Sequence, residues 1–208
     1  MLPWFFRRVA VTFRLLLVLS LWCLTNAHAV YTVTMTESAG NVEALGSGSL
    51  NVTGLTRNPI SPITQTSYVS PNDASVAVGP RSFTPADIYE TVTGPASTGS
   101  GTLLQSNSGS GDLVGIDTGT SLVVPENYVS GVPLTSSATW TGTTFAGLGL
   151  TPGTYTWTWG SGPNADSFVL QVGPAPASSP QSIPTLSEWA MIMMAALMAI
   201  GAMRYRKR

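Results

Sequence analysis

The feature that most constrains this chain is the period of its hydrophobic pattern, which is two across residues 30–172. Tyr31, Val33 and Met35 alternate with Thr32, Thr34 and Thr36, and Leu50 and Val52 alternate with Ser49, Asn51 and Thr53. Val76 and Val78 flank Ala77, while residues 88–93, 113–116 and 122–124 read as further short strands. The clearest stretch is Thr154-Tyr155-Thr156-Trp157-Thr158-Trp159, followed by a Gly/Pro/Asn/Asp turn and then Ser167-Phe168-Val169-Leu170-Gln171-Val172, the pattern of a β-hairpin with a longer loop. Gly, Pro, Asn and Ser bound these runs, frequent Thr and Val favour strands, and no helical period appears between the two ends. The pattern predicts an all-β domain, an antiparallel β-sandwich.

Residues 30–182 carry nine carboxylates against only Arg57 and Arg81, which leaves a net charge of −7. Such a surface repels phosphate backbones, so nucleic acid is not an expected partner. Cys23 and His28 are the only residues of their types and fall in the first 29 residues; the one lysine, Lys207, lies near the C-terminus. Residues 30–182 therefore offer no cysteine nucleophile, Ser-His-Asp triad, histidine zinc site or lysine Schiff base. No cofactor is expected, and the expectation is a protein that is not an enzyme.

Both ends read as addresses. Arg7, Arg8 and Arg14 form a basic region, residues 15–24 an apolar one, and Ala27-His28-Ala29 fits the small-x-small site of a secretory signal. Residues 1–29 are thus expected to be an export helix, with cleavage between Ala29 and Val30 by signal peptidase; an uncleaved anchor is the alternative. At the other end an apolar run over 189–203 is followed by the basic cluster 204–208. As a helix those fifteen residues would span about 22 Å, short of the roughly 30 Å hydrocarbon core, so the segment is a marginal transmembrane helix. The basic cluster places its end in the cytoplasm and the β-domain outside, in agreement with the export signal. Residues 173–182, rich in Pro and Ser, suit a semi-extended linker.

Ile183, Pro184, Thr185, Leu186, Ser187, Glu188 and Trp189, ahead of a short hydrophobic helix and an Arg-rich end, closely resemble the IPTL-CTERM sorting signal. That signal is a variant of the PEP-CTERM tails of Gram-negative bacteria, which membrane transpeptidases called exosortases handle. The resemblance implies that the tail is recognised at the inner membrane, cut near the motif, and the protein passed to the cell surface or a biofilm matrix of exopolysaccharide; a tail anchor that is never cut is the alternative. Together with the readings above, this divides the chain into signal (1–29), ectodomain (30–172), linker (173–182) and sorting segment (183–208). The ectodomain, through the stretches around 47–55, 108–116 and 124–168, is similar to a domain recurring among PEP-CTERM proteins with no defined activity. Leu148-Gly149-Leu150-Thr151-Pro152-Gly153-Thr154-Tyr155 is similar to the corner entering a late strand of immunoglobulin-like and fibronectin-like domains, where a Tyr hydroxyl bonds the preceding backbone. The Pro-to-Tyr spacing is one residue shorter than the usual fibronectin form. Immunoglobulin-like and jelly-roll strand orders both remain open at this point.

Three kinds of site chemistry follow from the residues. Tyr155, Trp157 and Trp159 share one face of their strand, and with Trp140 they would stack on sugar rings if exposed or form the sandwich core if not. A carbohydrate-binding module is therefore the alternative to a surface protein without catalytic activity. A two-carboxylate glycoside hydrolase would draw on Asp87, Glu90, Asp112, Asp117 or Glu126, and needs two of them roughly 5–10 Å apart. Asn107, Asp112 and Asp117 offer oxygens to calcium, but at spacings unlike those of an EF-hand loop, and no metal site is expected.

Overall fold

A computed structural model of the chain describes residues 30–174. The signal and sorting segments lie outside the described residues. In chain order the strands are β1 (Val30–Ser38), β2 (Asn41–Gly48), β3 (Thr56–Arg57), β4 (Ile63–Gln65), β5 (Tyr68–Ser70), β6 (Ser75–Val78) and β7 (Thr84–Glu90). They continue as β8 (Leu104–Gln105), β9 (Ser108–Gly111), β10 (Val114–Asp117), β11 (Ser121–Pro125), β12 (Leu134–Thr141), β13 (Gly153–Trp159) and β14 (Asp166–Val172). One four-residue helix, α1 (Phe145–Leu148), interrupts them; Thr144 caps it by accepting from Gly147 N at 3.1 Å.

The strands form two sheets packed as a sandwich. The first has the order β13-β14-β1-β2-β12-β9, antiparallel except that β1 and β14, the first and last strands, run parallel. The hairpin β13–β14 pairs Gly153 with Val172 through Trp159 with Asp166, as the alternation predicts. β1 turns into β2 through Ala39 and Gly40, both at positive φ, which a two-residue hairpin loop with the correct twist requires. Alternate residues of these strands are buried: Tyr31, Val33 and Met35 of β1, Val42 and Ala44 of β2, Ala138 and Trp140 of β12. Their neighbours, largely Thr and Ser, face outward.

The second sheet runs β3-β7-β11-β10-β6-β5-β8, with β4 also paired to β7. Flat, the order β4-β7-β11-β10-β6-β5 would separate β4 from β5 by five strand spacings, about 24 Å. Only Thr66 and Ser67 join Gln65 to Tyr68, a reach of at most about 11 Å. The sheet is therefore rolled. Gln65 of β4 accordingly donates from Nε2 to Asp117 Oδ2 of β10 at 3.3 Å, and Tyr68 Oη donates to Asp117 Oδ1 at 2.8 Å. Inside the roll sits a second small core of Tyr68, Ala77, Ala86, Leu113 and Val123, while the opposite face contributes Val69, Val76, Val78, Val114, Ile116, Leu122 and Val124 to the main core.

Three local expectations change. Leu50 and Val52 alternate like a strand, but Val52 opens a 3₁₀ turn (Val52–Gly54), because the Asn51 side chain accepts from Thr53 N and ends the extended run. The run expected over 88–93 belongs to a longer strand, β7, that ends at Glu90, where Thr91 takes a left-handed conformation. The helix α1 is too short to show a period.

Candidate functional site

The aromatic row faces inward. Trp157 and Trp159 of β13 are 0 % and 5 % exposed, and Trp140 of β12 is 2 % exposed. Trp157 meets Phe168 edge-on at 5.7 Å, with Tyr31 stacked on the other side of Phe168 at 5.8 Å. Trp140 Nε1 donates to Leu104 O of β8 at 3.1 Å, linking the two sheets, and Trp159 Nε1 donates to Asn51 O at 2.8 Å, tying the first sheet to the connection after β2. Tyr155 is half-buried, and its hydroxyl donates to Thr151 O at 2.8 Å and reaches Thr98 O at 3.3 Å. The tyrosine corner is thus present despite the shortened Pro-to-Tyr spacing. The sugar-stacking platform considered for Trp140, Tyr155, Trp157 and Trp159 is corrected: these are the largest apolar groups of the first sheet, and burying them fills its core.

Most of the carboxylates are engaged by N–H or O–H groups of the fold. Asp112 accepts from Thr135 N at 2.8 Å, and Asp117 is held by Tyr68 and Gln65. These two stand five residues apart along one extended segment, about 16 Å, too far for a hydrolytic pair. Asp87 is buried and pairs with Arg57 at 2.6 Å while accepting from Asn127 N at 3.0 Å. The Arg57 guanidinium holds its carboxyl below the usual range, with the Asn127 amide adding to the effect. Glu90 accepts from Asn58, Asp166 from Asn51 N and Ser167 N, and Glu37 from the first amide of α1, Phe145 N. The oxygens considered for calcium are likewise engaged, with Asn107 Oδ1 accepting from Thr141 N at 2.8 Å. No group of three or more His, Cys, Asp or Glu suited to a metal occurs among the described residues.

Burial also sets the phenols. Desolvation pushes the Tyr31 hydroxyl up to about 12, against the lowering effect of its 2.5 Å bond to Ser136 Oγ. Tyr68 is raised further, by burial first and then by the adjacent Asp117 charge. Neither group is poised to exchange a proton near neutrality.

Val30 begins β1 opposite Ser167, and at the far end of the same pair Gly173 N donates to Met35 O at 3.0 Å. The domain's two ends therefore leave at opposite ends of the β1/β14 ladder, about 20 Å apart. Cleavage residues Ala27 and Ala29, and the motif residues 183–189, lie outside the described residues. Sequence reasoning does not single out a cleft at one end of the rolled sheet, where the turns 71–74, 91–96 and 118–120 meet. Its residues are ordinary Asn, Asp and Thr with small and apolar neighbours such as Gly94, Pro95 and Gly119, and only the closure of the roll brings them together.

Among the comparisons with known proteins, residues 181–208 match the family model of the IPTL-CTERM motif. No curated protein and no solved structure matches the chain. The chain thus carries a C-terminal sorting signal of the kind that exosortase-type systems process, which implies export and transit through the membrane.

Proposed function

We propose that this chain is a non-catalytic surface or biofilm-matrix protein, whose β-domain is presented outside the cell after sorting by its C-terminal signal. In this reading the secretion machinery exports the chain, signal peptidase removes residues 1–29, and the apolar run 189–203 holds it in the inner membrane. An exosortase-type transpeptidase then acts near Ile183–Trp189, and the domain passes to the cell surface or an exopolysaccharide layer. The observation that carries the reading is the sorting-signal match over residues 181–208. Its setting supports it: about ten residues lie between the last strand and the motif, a reach of up to roughly 33 Å, enough to present the motif beside a folded domain. The absence of catalysis is part of the proposal, supported by the engagement of most carboxylates in hydrogen bonds within the fold, Asp87 by Arg57 and Asp117 by Tyr68 among them.

Intact mass of the protein from native cells, measured separately in envelope and culture-medium fractions, tests this. Loss of residues 1–29 together with the tail beyond the motif is expected. A membrane-fraction mass that retains Arg204–Arg208, with none of the trimmed form elsewhere, would mean a permanent anchor and overturn the sorting account.

A further inference from the structure

We infer that the cleft at the end of the rolled sheet is a binding site for a cationic, hydroxyl-bearing unit, an amino sugar within a polysaccharide. The cleft is an open, solvent-facing depression of about 530 Å³, within the roughly 300–1,000 Å³ range of small-molecule sites. It is built where the turn after β5, the segment after β7 and the β10–β11 loop converge. Of the five non-glycine residues at positive φ among the described residues, three border it: Ala74 (55°), Thr91 (73°) and Thr118 (50°). Two of these are β-branched, for which the left-handed region is costly, and such conformations persist only where the surroundings enforce them. Enforcement is visible: Thr118 N donates to Ser75 Oγ at 2.8 Å and Val92 N to Thr120 O at 3.0 Å, tying the three turns together. At Gly119 a Cβ would sit 3.2 Å from Asp73 O and 3.3 Å from Pro95 O, so the loop closes tightly on both neighbouring turns.

The chemistry of the lining selects the ligand. Asn72, Asp73, Thr93 and Thr120 present an amide, a carboxylate and two hydroxyls, and the half-buried Pro95 adds an apolar face of the kind that receives the C–H face of a sugar ring, over Val92, which is buried beneath it in the main core. Asp73 Oδ1 is occupied by Ser75 N at 3.3 Å, and Oδ2 makes no hydrogen bond within the described residues. Arg57 and Arg81 are the only cations among the described residues, and neither lines the cleft. Arg57 is already paired with Asp87. The carboxylate of Asp73 is therefore uncompensated, which favours an ammonium beside hydroxyl donors and disfavours uronic acids. This site is separate from the inward-facing aromatic row and does not depend on whether the tail is cut.

Calorimetric titration of the full chain in detergent micelles at mildly acidic pH tests the inference, with glucosamine tetramers and their N-acetylated counterparts as probes. The glucosamine tetramer is expected to bind, with about a tenfold loss on N-acetylation and a similar loss for Asp73→Asn. Thr120→Val should weaken binding in the same direction. Glu43→Gln, which removes a charge from the outward face of the first sheet, should leave it unchanged. If Asp73→Asn does not fold, the two tetramers on the unaltered chain and Thr120→Val decide between the outcomes. No binding, equal binding of both tetramers, or an equal loss with Glu43→Gln would overturn the site, the last by showing diffuse attraction to an acidic surface.

Discussion

The two sheets solve the same packing problem differently. The first buries one face, and its sequence shows it: Tyr31, Val33, Met35, Trp157 and Trp159 point in, and Thr32, Thr34, Thr36, Thr156 and Thr158 point out. The second buries both faces, because rolling turns its outer side into the interior of a small core. All four residues of β6 are buried, as are the three of β5. Small side chains make this possible, since Ala77, Ala86 and Gly115 leave room for Tyr68 and Leu113 inside a narrow roll. An outward-facing side chain is therefore a dispensable position in one sheet and a core position in the other.

Truncating Trp157 to Ala is the severest test of the first sheet. The residue is fully buried against Phe168, and its loss should cost about 3–5 kcal/mol in urea denaturation. Thr156→Ala, one residue away on the outward face, should stay within about 0.5 kcal/mol of the native protein. Similar values for the two would abolish the one-sided description. In the second sheet the sharpest position is Gly115. A methyl group there would stand 2.1 Å from Val76 O, so Gly115→Ala has to move backbone and should cost about 1–3 kcal/mol. A neutral result in the same denaturation series would mean that the roll opens at no cost, and the contrast between the sheets would fail.

That contrast also explains what is legible in the sequence. Sandwich architecture and the β13–β14 hairpin follow from strict alternation, which a one-sided sheet imposes on its residues. The roll leaves no such mark, because strands buried on both faces lose the alternation, and because closure depends on pairing β4 with β7 and β5 with β6 across the whole sheet. Parallel pairing of the first and last strands is equally silent, being set by partners more than 130 residues apart. Tyr155 is an intermediate case: its motif is recognisable, yet only the structure shows the hydroxyl reaching Thr151 O at the shortened spacing. For function the division is similar. The sorting signal is contiguous in the chain and readable as such, whereas the cleft around Asp73 and Thr120 is assembled from three separated turns.

Asp87 offers the smallest and most specific probe of the second sheet's margin. Its carboxyl is 2 % exposed and is clasped by Arg57, itself 41 % exposed, so solvent screens the pair from the Arg57 side. The folded state lowers the Asp87 pKa, chiefly through the Arg57 hydrogen bond, against the opposing effect of burial. A group depressed on folding contributes stability that is present above its unfolded value and is lost as the pH falls through the folded one. Asp87→Asn should therefore destabilise the protein at neutral pH, and the difference from the native chain should shrink as the solution is acidified below the ordinary carboxylate range. Thermal melts of both proteins across that range read the effect directly. A difference that stays constant with pH would show that the clasp works through shape and neutral hydrogen bonding, and that the charge on Asp87 contributes nothing to holding β3 against β7.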